Sequence, residues 1–311
     1  MELKRLNFQF IKRILYYVEK IAYVFKKHEA KIMPVLKFLA GMFIFTRLGA
    51  LSADNAGMGR IMALSLGCSA VSIIASPALF LVMMGGISCL YIAMVSIEAA
   101  ILALVVFFII FVFYIRIFPK ESLLIPVMLI AYLFKIPYIV PIAAGMYLGL
   151  RSLGAVIITV FLQSLKPLLA DIIEVSPKTE FDLMGMLDNF IKIMEVISSN
   201  INYNWIFVAG VFAVSGVGAW AVNNLFINHE RAAAIAVAGV IMIFGCIVVN
   251  IMFSAEMSVI GTIFGTVISC AVVYIMTAFD FVLDYSKTEY VKFQDDNYMY
   301  YVKAVPKAKK D

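Results

Sequence analysis

Residues 60–120 read RIMALSLGCSAVSIIASPALFLVMMGGISCLYIAMVSIEAAILALVVFFIIFVFYIRIFPK, and residues 121–170 read ESLLIPVMLIAYLFKIPYIVPIAAGMYLGLRSLGAVIITVFLQSLKPLLA. In each run a short apolar piece ends at a proline, Pro77 or Pro137, and a second short piece follows. A serine, Ser96 or Ser152, then opens a longer apolar helix. Residues 123–135 and 138–150 hold 13 residues each, so as helices they reach about 20 Å, against about 30 Å of bilayer hydrocarbon. Proline removes a backbone donor and disfavours helix in the residue before it, which predicts breaks at Ser76-Pro77 and Ile136-Pro137. Two readings stand. Broken backbone at membrane depth lines a site, as in transporters with paired interrupted helices, or each proline lies in a tight turn between two thin but complete spans. The first reading names Ser76, Pro77, Lys135, Pro137 and Pro141 as substrate-binding candidates.

Composition sets the class. With 64% hydrophobic residues, 14% charged residues and a mean hydropathy of +0.99, the chain lies outside the range of soluble domains and reads as an all-α polytopic membrane protein. Residues 1–31 carry eight Lys or Arg against three Glu, so the whole net charge of +5 resides there. Cys68, Cys89, Cys246 and Cys270 fall in apolar segments without paired spacing and read as small reduced core residues.

Along the chain, Leu3, Leu6, Phe10, Ile14, Tyr17, Val18, Ile21 and Phe25 recur at helical spacing among basic residues. This predicts an amphipathic helix over 1–33, suited to an anionic leaflet or simply to a positive-inside signal. Residues 34–170 form the membrane domain with the two broken repeats. Its first span is 34–51, in which Arg47 snorkels to the far interface or faces the bundle interior; its long spans are 97–117 and 152–166. Glu98 either caps the first of these or coordinates an ion. Residues 171–203 turn acidic and are expected outside the membrane, with Leu183, Leu187, Phe190, Ile191, Met194 and Ile197 as the apolar stripe of a surface helix. Residues 204–281 supply three fuller spans: 204–227, 232–253 and 258–281. Two GxxxG patterns, Gly145 to Gly149 and Gly261 to Gly265, predict faces that pack closely.

Six full spans and two short-helix hairpins, up to ten segments in all, put both ends in the cytoplasm, because each hairpin adds two crossings. An odd number of crossings per unit makes the two units an inverted repeat. In the tail, 282–311, residues 288–294 and 298–305 are rich in strand formers and flank Asp295-Asp-Asn297. They predict a cytoplasmic β-hairpin that needs a docking surface, a second copy or a partner strand.

The tail DYSKTEYVKFQDDNYMYYVKAVPK, with FPK at 118–120 and KIPYIVP at 135–141, resembles a family of bacterial polytopic membrane proteins of Gram-positive anaerobes. The resemblance covers most of the chain and implies a multi-pass place in the cytoplasmic membrane, with no activity attached to the family. No Walker A loop, HExxH, CxxC or GxSxG occurs, and His28 and His229 lie in polar stretches, so neither an enzyme nor a cofactor is expected. The lipid bilayer is the expected partner, with a homo-oligomer or a cytoplasmic protein at the tail and no nucleic acid. Lys135 is the ionisable residue of interest. At mid-membrane it would suit an anionic solute or a coupling role, whereas at the interface it would be a surface lysine. The two functions in view are a permease for a small solute and a non-transporting subunit that recruits a partner through its ends.

Overall fold

The structure, a computed structural model, describes residues 28–49, 58–73, 75–175, 183–200, 203–225, 230–253, 258–283, 289–294 and 299–304. The amphipathic helix expected over 1–33 lies outside these residues up to position 27. So do the side chains of Arg47, Leu183 and Leu187.

The helices are α1 (Glu29–Gly49), α2 (Met58–Ser72), α3 (Pro77–Ala93), α4 (Ile97–Ile110), α5 (Leu124–Leu133), α6 (Ile139–Tyr147), α7 (Leu153–Val175), α8 (Leu183–Asn200), α9 (Asn204–Asn223), α10 (Glu230–Phe253) and α11 (Val259–Leu283). Two units divide the chain: Met33–Val273, and the two ends together, Met1–Ile32 with Tyr274–Asp311. In the unit of the ends, β1 (Glu289–Gln294) pairs antiparallel with β2 (Met299–Ala304), Glu289 opposite Ala304 and Gln294 opposite Met299.

Among the described residues, five helices are long and apolar enough to cross a membrane: Ile97–Ile115, Leu150–Val175, Asn204–Asn223, Arg231–Phe253 and Val259–Thr277. Large apolar side chains stand outward along them, with Phe113 72%, Ile251 75% and Ile260 70% exposed. So much outward apolar surface is stable only against lipid, and the chain is a multi-pass integral membrane protein. Inside, hydroxyls replace large polar groups. Thr159, Thr266 and Ser269 return their protons to the carbonyl four residues back, which satisfies them without a partner helix. Ser215 instead donates to the Ala238 carbonyl at 2.9 Å and ties α9 to α10.

Several boundaries differ from those expected. The first helix starts at Glu29 rather than at Pro34; Pro34 is its sixth residue, just past the turn whose N–H groups lack partners anyway, so it removes one bond. The helix expected to end near Lys166 runs on to Val175 through Pro167. Beyond that proline, Leu168 and Ile172 are buried against Ala99 and Ile193, and this packing outweighs the single lost bond. Both elements cross the expected boundaries at 33/34 and 170/171. The stripe of the surface helix is also rotated. Ile193, with Val196 and Ile197, packs inward, while Phe190, Ile191 and Met194 are exposed. An 18-residue helix with apolar residues over more than half its turn gives only one edge to the bundle and leaves the rest outward.

α4 continues past Ile110 into a π-helical turn, Phe111–Ile115, closed by the Arg116 N–H on the Phe111 carbonyl at 2.9 Å. The extra residue turns Tyr114 toward the turn that precedes α7, Leu150–Ser152, where its hydroxyl donates to the Arg151 carbonyl at 2.9 Å. A Cβ added at Gly154 would strike the same ring.

Candidate functional site: a hairpin that stops inside the bundle

α5 and α6 form the arms of a hairpin, and it is the short 3-10 turns at its feet that bring its ends together. Glu121–Leu123 leads into α5, Leu150–Ser152 follows α6, and the two turns touch. Ser152 fastens the second foot by donating to the carbonyls of Gly149 at 2.6 Å and Ala144 at 3.1 Å. Gly149 has φ +75°, a conformation that glycine adopts without penalty.

With its lead turn, the α5 arm is about 21 Å long, and α6 is about 14 Å. Three neighbouring helices measure how deep the tip lies. Phe134 stacks on Phe43 of α1 at 6.0 Å between ring centroids, six residues before α1 ends. The Tyr138 ring meets Phe212 of α9 edge to face at 5.8 Å, eight residues after α9 begins. Gly265 of α11 lies under the Tyr138 ring and beside the Lys135 carbonyl, six residues after α11 begins. At 1.5 Å per residue, the tip stops about 9–12 Å short of these helix ends. The hairpin enters the bundle and turns back inside it.

The tip is built by a helix-ending motif. The Ile136 N–H bonds the Ala131 carbonyl at 2.9 Å and the Lys135 N–H bonds the Tyr132 carbonyl at 3.1 Å, with Lys135 at φ +60°. This is the Schellman arrangement, whose left-handed position glycine ordinarily fills. Lys135 is exposed and makes no ion pair among the described residues. Its cation sits at the C-terminus of α5, where the helix dipole favours it.

Beneath the tip the structure is apolar. Tyr138, Val140 and Ala144 join Met128, Phe212, Met242 and Cys246 in one apolar cluster. The Tyr138 hydroxyl is buried and bonded to Thr262 Oγ1 at 3.2 Å. Lower down, α6 lies against α9 so closely that a Cβ at Gly145 would land on the Gly216 carbonyl. Of the two GxxxG patterns, Gly145 and Gly265 make the close approaches, while Gly149 serves the turn.

The candidate residues are not brought together. Lys135, Pro137 and Pro141 belong to the hairpin; Pro137 and Pro141 are buried and Lys135 is exposed. Ser76 and Pro77 lie at the opposite end, where Pro77 shares a small cavity with Leu123 at the foot of α5. Twelve residues along α5 separate that level from Lys135, which is about 18 Å. Among the described residues, Ser76-Pro77 and Lys135-Pro141 therefore do not meet. Nor are the two pairs alike. α2 and α3 have 15 and 17 residues, about 22 and 25 Å, and the Pro77 junction is an ordinary helix start. Ser76 is the N-cap, accepting from the Leu79 N–H at 3.3 Å, with Pro77 at the first helical position, the place where its missing N–H is not needed.

Glu98 lies in the first turn of α4, one of the two roles open to it from sequence. Its carboxylate also accepts from Asn189 of α8 at 3.2 Å and from Ser96 at 3.4 Å. Sequence reasoning missed the Asn189 and Thr262 partners, which are 91 and 124 residues from the groups they bind, and no local pattern announces such pairs. No family model matches this chain, and no curated protein or solved structure matches it either.

Proposed function

We propose that the protein is a permease-like membrane protein whose site is the hairpin tip, with Lys135 as the group that meets a small anionic solute. The observation that carries this reading is an exposed lysine, free of ion pairs among the described residues, held about 9–12 Å inside the ends of three neighbouring helices. An ionisable residue at such depth needs water, a partner charge or a substrate. Tyr138 and its cluster close the path below the lysine, so passage requires the hairpin to slide on its glycine contacts with α9 and α11. The basic loops at Arg116, Lys120 and Arg151 assign the hairpin feet, and by crossing parity both chain ends, to the cytoplasmic side. An inverted repeat would set the α2–α3 junction at Ser76-Pro77 against the hairpin tip at the other end, although α2 and α3 are longer than the hairpin arms. In this reading α1 is the sixth crossing.

The second reading, a non-transporting subunit that recruits a partner, draws on the two-stranded sheet. Its order, β1 beside β2, leaves an outer edge on each strand unpaired among the described residues, and such an edge accepts another strand.

Cysteine placed at 135, in a chain whose four native cysteines are replaced, decides between them. A water-soluble thiol reagent added from the side opposite Lys120 should label it, and one of a panel of small anions should slow labelling. Silence toward the reagent from both sides would place Lys135 against lipid and remove the permease reading.

A further inference from the structure

We infer that the cavity beside Pro77 is a binding site for an anionic phospholipid, with the upper part of one acyl chain inside it and the phosphate at Lys37. This inference is independent of any transport. The cavity, about 220 Å³, lies between α1, the α2–α3 junction and α5. Its lining is graded. Lys37 and Ser72 sit together, the Ser72 hydroxyl donating to the Lys37 carbonyl at 3.4 Å, while Ile44, Phe80 and Ile130 line the cavity further along α1, α3 and α5 than Lys37, Pro77 and Leu123. From Lys37 to Ile44 and from Leu123 to Ile130 the walls run seven residues, about 10 Å of helix. A charged mouth and a deep apolar end match a molecule with a polar head and a hydrocarbon tail, oriented as lipids lie in a leaflet.

Charge complementarity fixes the sign. Among the described residues, Lys37 is the one charged residue lining the cavity; it is exposed and has no ion pair among them. Lys120 is joined to the mouth by the Leu123 N–H on its carbonyl at 3.3 Å, with exposed Arg116 in the same connection. The 17-residue helix α3 also begins at this mouth, adding the positive end of its dipole. The nearest acid in sequence, Glu121, is half-buried. The Ser72 hydroxyl donates to the carbonyls of Ser69 at 2.6 Å and Lys37 at 3.4 Å. Basic pockets between membrane helices recognise anionic headgroups in this way.

The test is native mass spectrometry of the full chain, released in mild detergent from vesicles of equal parts phosphatidylglycerol and phosphatidylcholine. Retained phosphatidylglycerol should exceed phosphatidylcholine. Lys37→Gln should lower the retained phosphatidylglycerol about fivefold, as loss of one headgroup cation implies; Lys37→Arg should keep it, and Ala40→Phe, which fills the cavity, should remove it. Equal retention of the two lipids, an unchanged level in Lys37→Gln, or displacement of the lipid by inorganic phosphate alone would each overturn the proposal. Should Ala40→Phe fail to elute as a folded species, the Lys37→Gln and Lys37→Arg pair decides.

Discussion

Lys135 holds a backbone conformation that costs a residue with a Cβ about 1 kcal/mol relative to glycine. Lys135→Gly should therefore raise the melting temperature in detergent, by about 1 kcal/mol of stability, while abolishing any anion uptake that depends on the amine. A variant both more stable and inactive would separate the side chain's use from the turn's. Gly145 has the opposite character. A methyl group there meets the Gly216 backbone rather than a flexible side chain, so Gly145→Ala should lose about 1–3 kcal/mol. Gly210→Ala, with open space around it, should be neutral or slightly stabilising in the same melts. Tyr138→Phe removes a buried hydroxyl bond and should cost about 1 kcal/mol. It leaves Thr262 satisfied through the Ser258 carbonyl at 3.1 Å, so a much larger loss would mean that the hydroxyl holds more than this contact.

Among the elements, α8 shows how a surface helix is fastened. It gives one apolar edge, Ile193 with Val196 and Ile197, to α7 and the start of α4, and one polar tie, Asn189 to Glu98. Asn189→Ala should leave the bundle folded and speed amide hydrogen exchange across 189–200, with no change in α9 or α10. Uniform acceleration would show instead that the tie supports the whole unit. That the hairpin arms are short was readable in advance because a short apolar run bounded by proline and glycine allows few alternatives, although α6, with 9 residues, is shorter than the 13 expected. The first pair left two readings open for a related reason. Proline marks a helix start as readily as a break, and only the Ser76 cap geometry separates the two.

At the scale of the molecule, the contact between the hairpin feet fixes a topology. Cysteines replacing Lys120 and Arg151 should react from one side of the membrane, and cysteines replacing Lys192 and Ser258 from the other, in vesicles probed with an impermeant reagent. Mixed labelling of the first pair would break the hairpin. The sequence alone determined that this chain lives in a bilayer, that its positive charge gathers at the start, and that residues 123–150 hold two short apolar pieces, read either as a broken hairpin or as two thin spans. Those properties depend on composition and on residues a few positions apart, where transfer free energy and proline chemistry act locally. Tertiary structure alone decided that Pro77 and Lys135 face opposite ends, that the tip halts at the level of Phe43, Phe212 and Gly265, and that Tyr138 seals the space beneath it. Depth and convergence arise from side chains scores of residues apart, and the spacing of apolar residues along one helix carries no record of them.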